Sequence, residues 1–346
     1  MPAKPENKSH LHNPIIQPFM PADLLAIVKR GDVVESQHFG HFAVVDGEGN
    51  LVLSAGDPHF TTYIRSAAKP FQAIPLFEDS VPEIFGLEEA ELAVIMSSHN
   101  GEPKHVQAVQ AILTKVGRTP ADLHCGVHVP LGSGVAEALA RAGEKPTVLH
   151  NNCSGKHAGM IAACVNRGLP VGNYLDFNHP YQKRLWRTVA RHAGLLEDAV
   201  PVGIDGCSAP NFALPMISMA HMYAGLAGMT DEIARRIYSL FVKYPDYIAG
   251  EGRFDTILMR VTRGKVLAKT GAEGIECLAV SAPQPLGIAI KIVDGSSRAI
   301  PAVVVALLKK LQILSDDELK RLAHFQPETL RNHRGLAVGM LEAAID

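Results

Sequence analysis

The chain has no apolar run long enough to cross a bilayer. The longest, Ala299 to Leu308, is interrupted by Pro301 and falls well short of the roughly 20 residues a spanning helix needs. An excess of either charge is missing too. Lys and Arg number 33 against 35 Asp and Glu, a net charge of −2, so the electrostatic footprint of a nucleic-acid-binding protein is absent. Cysteine is sparse: Cys125, Cys153, Cys164, Cys207 and Cys277 are five in number and widely spaced. That argues against a disulfide scaffold and for a reducing compartment. The first 20 residues are polar and proline-bearing, without the apolar core of a secretory signal. No repeat, low-complexity tract or Ser/Gly linker divides the rest of the chain. These absences leave a cytoplasmic globular protein with no membrane or nucleic-acid partner, and its 47% hydrophobic content is ordinary for one.

The pattern predicts a loose tail over residues 1–24 and a catalytic domain over 25–346. Strands are expected at Val33–Ser36, His41–Val45 and Leu51–Ser54, the last two joined by the turn Asp46-Gly47-Glu48-Gly49-Asn50. Helical spacing then dominates: Leu87–Met96, Glu102–Val116, Gly134–Ala142, Gly155–Val165, Tyr181–Ala193, Asn211–Ala224 and Asp231–Val242. Strands return at Lys265–Lys269, Ile275–Val280 and Gly287–Ile292, followed by helices at Ala299–Leu314 and Asp316–Ala323. The expected fold class is therefore α+β. An antiparallel sheet is built from both chain ends (about 25–65 and 264–346) and flanked by helices, with a helical lobe (about 66–263) inserted between. A cleft between sheet and lobe is the expected site.

Three short motifs carry chemistry. In Arg65-Ser66-Ala67-Ala68-Lys69-Pro70, a serine and a lysine three apart at a helix start share one face. Lysine can take the serine's proton once burial or a neighbouring cation lowers its pKa. Pro70 lacks the amide that would bond the Ser66 carbonyl, so the turn is expected to kink or to begin at the serine. Ser98-His99-Asn100 follows, then Lys269-Thr270-Gly271 at the end of a predicted strand. Ser66 would attack a carbonyl with Lys69 as base, and Ser98 with Lys269 would relay a proton to the leaving nitrogen. Backbone N–H groups at Ser66 and near the Lys269 strand would bind the oxyanion. His99 is expected to orient a loop, and Glu251 and Arg253 to form a structural ion pair or turn.

The ordered triple resembles the S-x-x-K, S-x-N and K-T-G set of penicillin-binding proteins and serine β-lactamases. Longer blocks depart from those enzymes: Asn152-Cys153-Ser154-Gly155-Lys156-His157, Asp205-Gly206-Cys207, Gly250-Glu251-Gly252-Arg253 and Lys269-Thr270-Gly271-Ala272-Glu273-Gly274. With Arg65–Pro70 they resemble the L-asparaginase II family, the rhizobial-type thermolabile asparaginases, over roughly Asp32 to Asp294. The resemblance implies a glutaminase/serine β-lactamase-like fold. It also implies a serine amidohydrolase with Ser66, Lys69, Ser98 and Lys269 as its catalytic residues. Arg65, His157 and Asp205 would surround the substrate, with Asn100 and Gly271 from the second and third motifs also assigned to binding. Cys153, Lys156 and Cys207 would hold a zinc ion that tunes substrate binding and is not needed for acyl transfer. Two thiolates suit zinc, Asp205 or His157 could complete or orient the site, and lysine is an unusual ligand because it must first lose a proton. The alternative for Cys153 and Cys207 is a pair of buried unpaired thiols.

The expected activity is hydrolysis of L-asparagine to L-aspartate and ammonia through an ester on Ser66, without an organic cofactor, by a homodimer. Asp205 would take the substrate's α-amino group, and Arg65 or Lys269 its α-carboxylate. A glutaminase or broader amidase, a penicillin-recognising acyltransferase and a non-enzymatic amide- or metal-sensing protein are the alternatives.

Overall fold

Strands β1 (Asp23–Arg30) and β2 (Val33–Asp46) form an antiparallel pair, and β3 (Leu51–Ala55) folds back on the far half of β2. The structure, a computed structural model, describes residues 21–345; most of the expected N-terminal tail lies outside the described residues. The remaining strands are β4 (Thr61–Tyr63), β5 (Val202–Ile204), β6 (Pro210–Pro215), β7 (Val266–Gly271), β8 (Ile275–Val280), β9 (Leu286–Ile292), β10 (Glu328–Arg331) and β11 (Ala337–Ala343). An eight-stranded sheet runs β10-β11-β1-β2-β9-β8-β7, with β3 beside β2, and every pairing in it is antiparallel. The fold is α+β, and both halves of the chain contribute to the sheet. The helices between β4 and β7 make the inserted lobe, which also carries the three-stranded sheet β4-β6-β5.

Strands β8 and β9 are buried along their whole length, as expected of near-continuous apolar runs covered on both faces. The helix Met216–Gly228 packs on β9, β2 and β8. At Gly287 a Cβ would stand 1.8 Å from the carbonyl oxygen of Ala220 in that helix, so only glycine allows the two backbones to approach this closely.

Three expectations are corrected. Val33–Ser36 and His41–Val45 are one long strand, β2, which continues through Gly40. The expected helix Asn211–Ala224 starts only at Met216, because Pro210–Pro215 is strand β6. That short buried segment pairs with β4 and β5, and periodicity alone does not separate such runs from buried helix. The hairpin β10–β11 lies beyond the last predicted element and supplies the sheet's outer edge.

Candidate active site

The Arg65–Pro70 turn sits where the lobe meets the sheet. Arg65–Ala68 is a short 3-10 turn and the α-helix begins at Lys69. In place of the missing Pro70 amide, the Lys69 N–H bonds the Ser66 carbonyl. This is the local break expected from the sequence, since 3-10 bonding uses i→i+3 pairs that Pro70 leaves intact. Arg65 has φ +53°, a left-handed conformation that costs a non-glycine residue on the order of 1–3 kcal/mol. Two contacts hold it there. Its N–H donates to Asn211 Oδ1 at 3.2 Å, and its Nε and Nη2 converge on Asp205 Oδ1 at 2.9 and 2.8 Å.

Lys69 is buried, and its Nζ donates to the Ser97 carbonyl, to Ser98 Oγ at 3.2 Å and to the Asn152 carbonyl at 3.5 Å. Among the described residues no hydrogen bond joins it to Ser66 Oγ. Lys269 reaches the same hydroxyl from β7, with Nζ 2.8 Å from Ser98 Oγ and 2.8 Å from the Thr270 carbonyl. One buried serine thus bridges two lysines. Ser98 is fixed in turn by its N–H on the Ile248 carbonyl, at 2.8 Å.

Burial, and then the charge of Lys69, push Lys269 down to about 7 against the opposing pull of Asp255 and Glu276. Those two carboxyls lie behind β7. Asp255 Oδ2 accepts the Thr270 N–H at 2.9 Å. Glu276 is fully buried, and burial followed by the Asp255 charge raises it well above the carboxylate range. The sequence motifs single out neither. Glu276 does leave a signal, as the one acidic residue in the apolar strand Ile275-Glu276-Cys277-Leu278-Ala279-Val280.

Gly271 serves the site through its size. A Cβ there would lie 3.0 Å from the Ile64 carbonyl, so its absence lets the end of β7 close on the Arg65–Pro70 turn. Asn100, expected to bind substrate, also bridges protein groups with its amide. Nδ2 donates to Glu102 and to the Glu251 carbonyl at 3.1 and 3.2 Å, and Oδ1 accepts from Arg253 at 3.4 Å. Glu251 pairs with Arg260 at 2.7 Å, and His99 bonds the Gly101 N–H and Ser154.

The helix Ser154–Asn166 and the turn between β5 and β6 bring Cys153, Lys156, Asp205 and Cys207 together. Lys156 Nζ lies 3.0 Å from Cys207 Sγ. A hydrogen bond from Cys153 lowers Cys207 to about 5, assisted by Lys156 against its burial; the same bond, and then burial, raise Cys153 to about 12. Burial opposes the charge on Lys156, but the Cys207 thiolate wins and holds the amine protonated. Burial would raise Asp205, yet Lys156 and then Arg65 keep it below the ordinary carboxylate range. The sulfur and amine donors are those a zinc ion would take, and their protonation is not. Lys156 and Cys153 would each have to give up a proton first. Among the described residues, no group of three or more His, Cys, Asp or Glu side chains is placed to hold a metal.

His157 is wholly buried beside this cluster, with Nδ1 2.6 Å from the Tyr174 hydroxyl. Burial, and then the Lys156 charge, keep the ring neutral.

No curated protein matches the chain. Among solved structures it is similar to Mglu in its native form in 4.3 M NaCl, with 18% identity, a TM-score of 0.35 and coverage of 81% of this chain and 63% of that one. It therefore spans less than two thirds of the Mglu chain. It is also similar to a β-lactamase from Mycobacterium bovis (15% identity, TM-score 0.40, 78% and 94% covered) and to a Bacillus glutaminase in 4.3 M NaCl (13%, 0.36, 79% and 91%). Across nearly its whole described length, residues 26–343, the chain matches L-asparaginase II, and it belongs to that family of amidohydrolases.

Proposed function

We propose that the protein hydrolyses L-asparagine to L-aspartate and ammonia through an ester on Ser66. The observation that carries this is the Ser98 hydroxyl shared by Lys69 and Lys269. Lys269, lowered to about 7, accepts the Ser98 proton while Ser98 accepts one from Lys69. That exchange leaves Lys69 as a neutral amine three residues from Ser66, able to take the nucleophile's proton. Run backwards, the relay returns a proton to the departing nitrogen. The Ser66 N–H, at the start of the turn, is the first donor we assign to the oxyanion.

The Arg65–Asp205 pair supports an amino-acid substrate. Guanidinium and carboxylate satisfy each other at 2.8 Å, and a zwitterion offers the same two charges in reverse, its α-amino group to Asp205 and its α-carboxylate to Arg65. All five cysteines are unpaired, in keeping with a reducing, cytoplasmic setting. Ammonia release from L-asparagine, with L-glutamine as comparator, tests the reading. The rate should be faster on asparagine; one methylene is worth roughly 1–3 kcal/mol in a fitted pocket. No release from either amide would sink it.

Zinc, when bound, would be held by Cys153, Lys156 and Cys207 and would add fixed positive charge beside Asp205. No step of hydrolysis passes through it. Because two protons must leave, zinc uptake should rise with pH and vanish in Cys207→Ala, as measured by equilibrium dialysis with metal analysis. Uptake independent of pH, or retained in that variant, would overturn the assignment.

A further inference from the structure

We propose that Tyr174 is a positioning residue that fixes His157 as its Nε2–H tautomer. The ring thereby becomes a hydrogen-bond donor for a carboxylate oxygen of the substrate and is removed from any set of metal ligands. The inference rests on the amino-acid-binding site proposed above, and goes beyond it by naming the donor and what orients it.

A count of hydrogen-bonding groups decides between the tautomers. Tyr174 is fully buried, and its hydroxyl accepts the His124 N–H at 3.0 Å while lying 2.6 Å from His157 Nδ1. Among the described residues, Nδ1 is the one acceptor within reach of the phenolic proton. If that proton points to Nδ1, the imidazole hydrogen resides on Nε2, and a single buried group is left without a partner. If Nδ1 carries the hydrogen instead, the phenolic proton and the Nε2 lone pair are both stranded. A buried unpaired group is costly and two are worse, so the first arrangement wins. An imidazolium would strand the phenolic proton as well, and would bury a charge beside two ammonium groups.

Nε2 is buried and finds no partner among the described residues. The charged groups facing the ring are Lys156, Lys69 and Asp205, together with the Cys153 thiol. A donor in a neighbourhood with two ammonium groups matches an anionic oxygen. Protonated Nε2 has no lone pair for a metal. Tyr174 is itself anchored: its carbonyl accepts Gln182 Nε2 at 2.7 Å, and its ring stands edge-on to His157, centroids 5.6 Å apart.

The tautomer is readable without substrate. Long-range ¹H–¹⁵N correlation NMR on the full chain should give His157 a protonated, pyrrole-type Nε2 and a pyridine-type Nδ1. Adding L-aspartate should shift the Nε2–H resonance, whereas β-alaninamide, which lacks a carboxylate, should not. In Tyr174→Phe the tautomers should mix and the KM for L-asparagine should rise roughly tenfold, with kcat much less affected. His157→Gln places an amide donor near the Nε2 position, and Tyr174→Phe added to it should change KM no further. If Tyr174→Phe fails to fold, the wild-type spectrum and His157→Gln carry the test. An Nδ1–H tautomer or an imidazolium in the wild type would overturn the proposal, as would an Nε2–H signal indifferent to L-aspartate. A wild type that shows the expected spectrum and aspartate response but releases no ammonia would overturn the hydrolytic reading and uphold this one.

Discussion

Ser66→Ala should lose at least about 10⁴-fold in kcat on L-asparagine, the scale on which a serine nucleophile acts in other hydrolases, while its melting temperature stays that of the wild type. The substitution removes one half-buried hydroxyl with no hydrogen bond to Lys69, so the fold has little to lose by it. The contacts that hold the turn belong to neighbouring groups: the Lys69 N–H on the Ser66 carbonyl, and Arg65 on Asp205 and Asn211. Steady-state ammonia release and thermal unfolding of the same preparation check both halves. Activity within tenfold of wild type would place the nucleophile elsewhere; a large drop in melting temperature would mean the hydroxyl holds the turn.

The second large effect concerns Lys269. The relay needs it neutral, and its pKa is near 7. Below that value the amine is protonated and cannot accept from Ser98, so kcat/KM should fall about tenfold per pH unit on the acid side and level off above. Lys269→Arg keeps a charge in the same place and never deprotonates. It should therefore lose roughly 10²–10⁴-fold at every pH, and the limb near 7 should disappear with it. A pH–rate profile of both proteins decides the matter. An acid limb with the same midpoint in Lys269→Arg would assign that titration to another group. The position is sensitive from behind as well. Asp255 works to keep Lys269 charged, against burial and Lys69, so the value near 7 is a balance of opposing effects in a dry site.

The three short motifs are legible in the sequence because each is local chemistry at fixed spacing: a serine and a lysine on one turn, a hydroxyl after a helix, a lysine at a strand end. Their meeting is not legible there. That Ser98 stands between Lys69 and Lys269 depends on a loop anchored to Ile248 and on β7 closing against Ile64, contacts far apart in sequence. Asn100 illustrates the same limit: a polar residue inside a motif reads as a ligand, and the bonds by which it also braces the Glu251–Arg253 loop come from residues about 150 positions away. Strands β8 and β9 lie where their apolar runs announce them. The hairpin β10–β11 carries no such run; its pattern mixes exposed and half-buried positions with Leu341 alone buried. Strand β6 escapes the pattern for the opposite reason, being buried along nearly all its length and followed directly by a helix.

The sheet order has a consequence for how the protein is made. Strand β1 lies between β2 and β11, pairing Ala26 with Ala343 and Val28 with Leu341. During synthesis the residues at 23–30 meet β2 first, and their other neighbour arrives only once residues 337–343 are made. Until then the β1 edge is open and able to pair wrongly. Among the described residues, the last strand in chain order is thus the one that closes the first. A ribosome stalled before residue 337 would leave a chain with all three Ser/Lys motifs already translated and β1 still unguarded on one side.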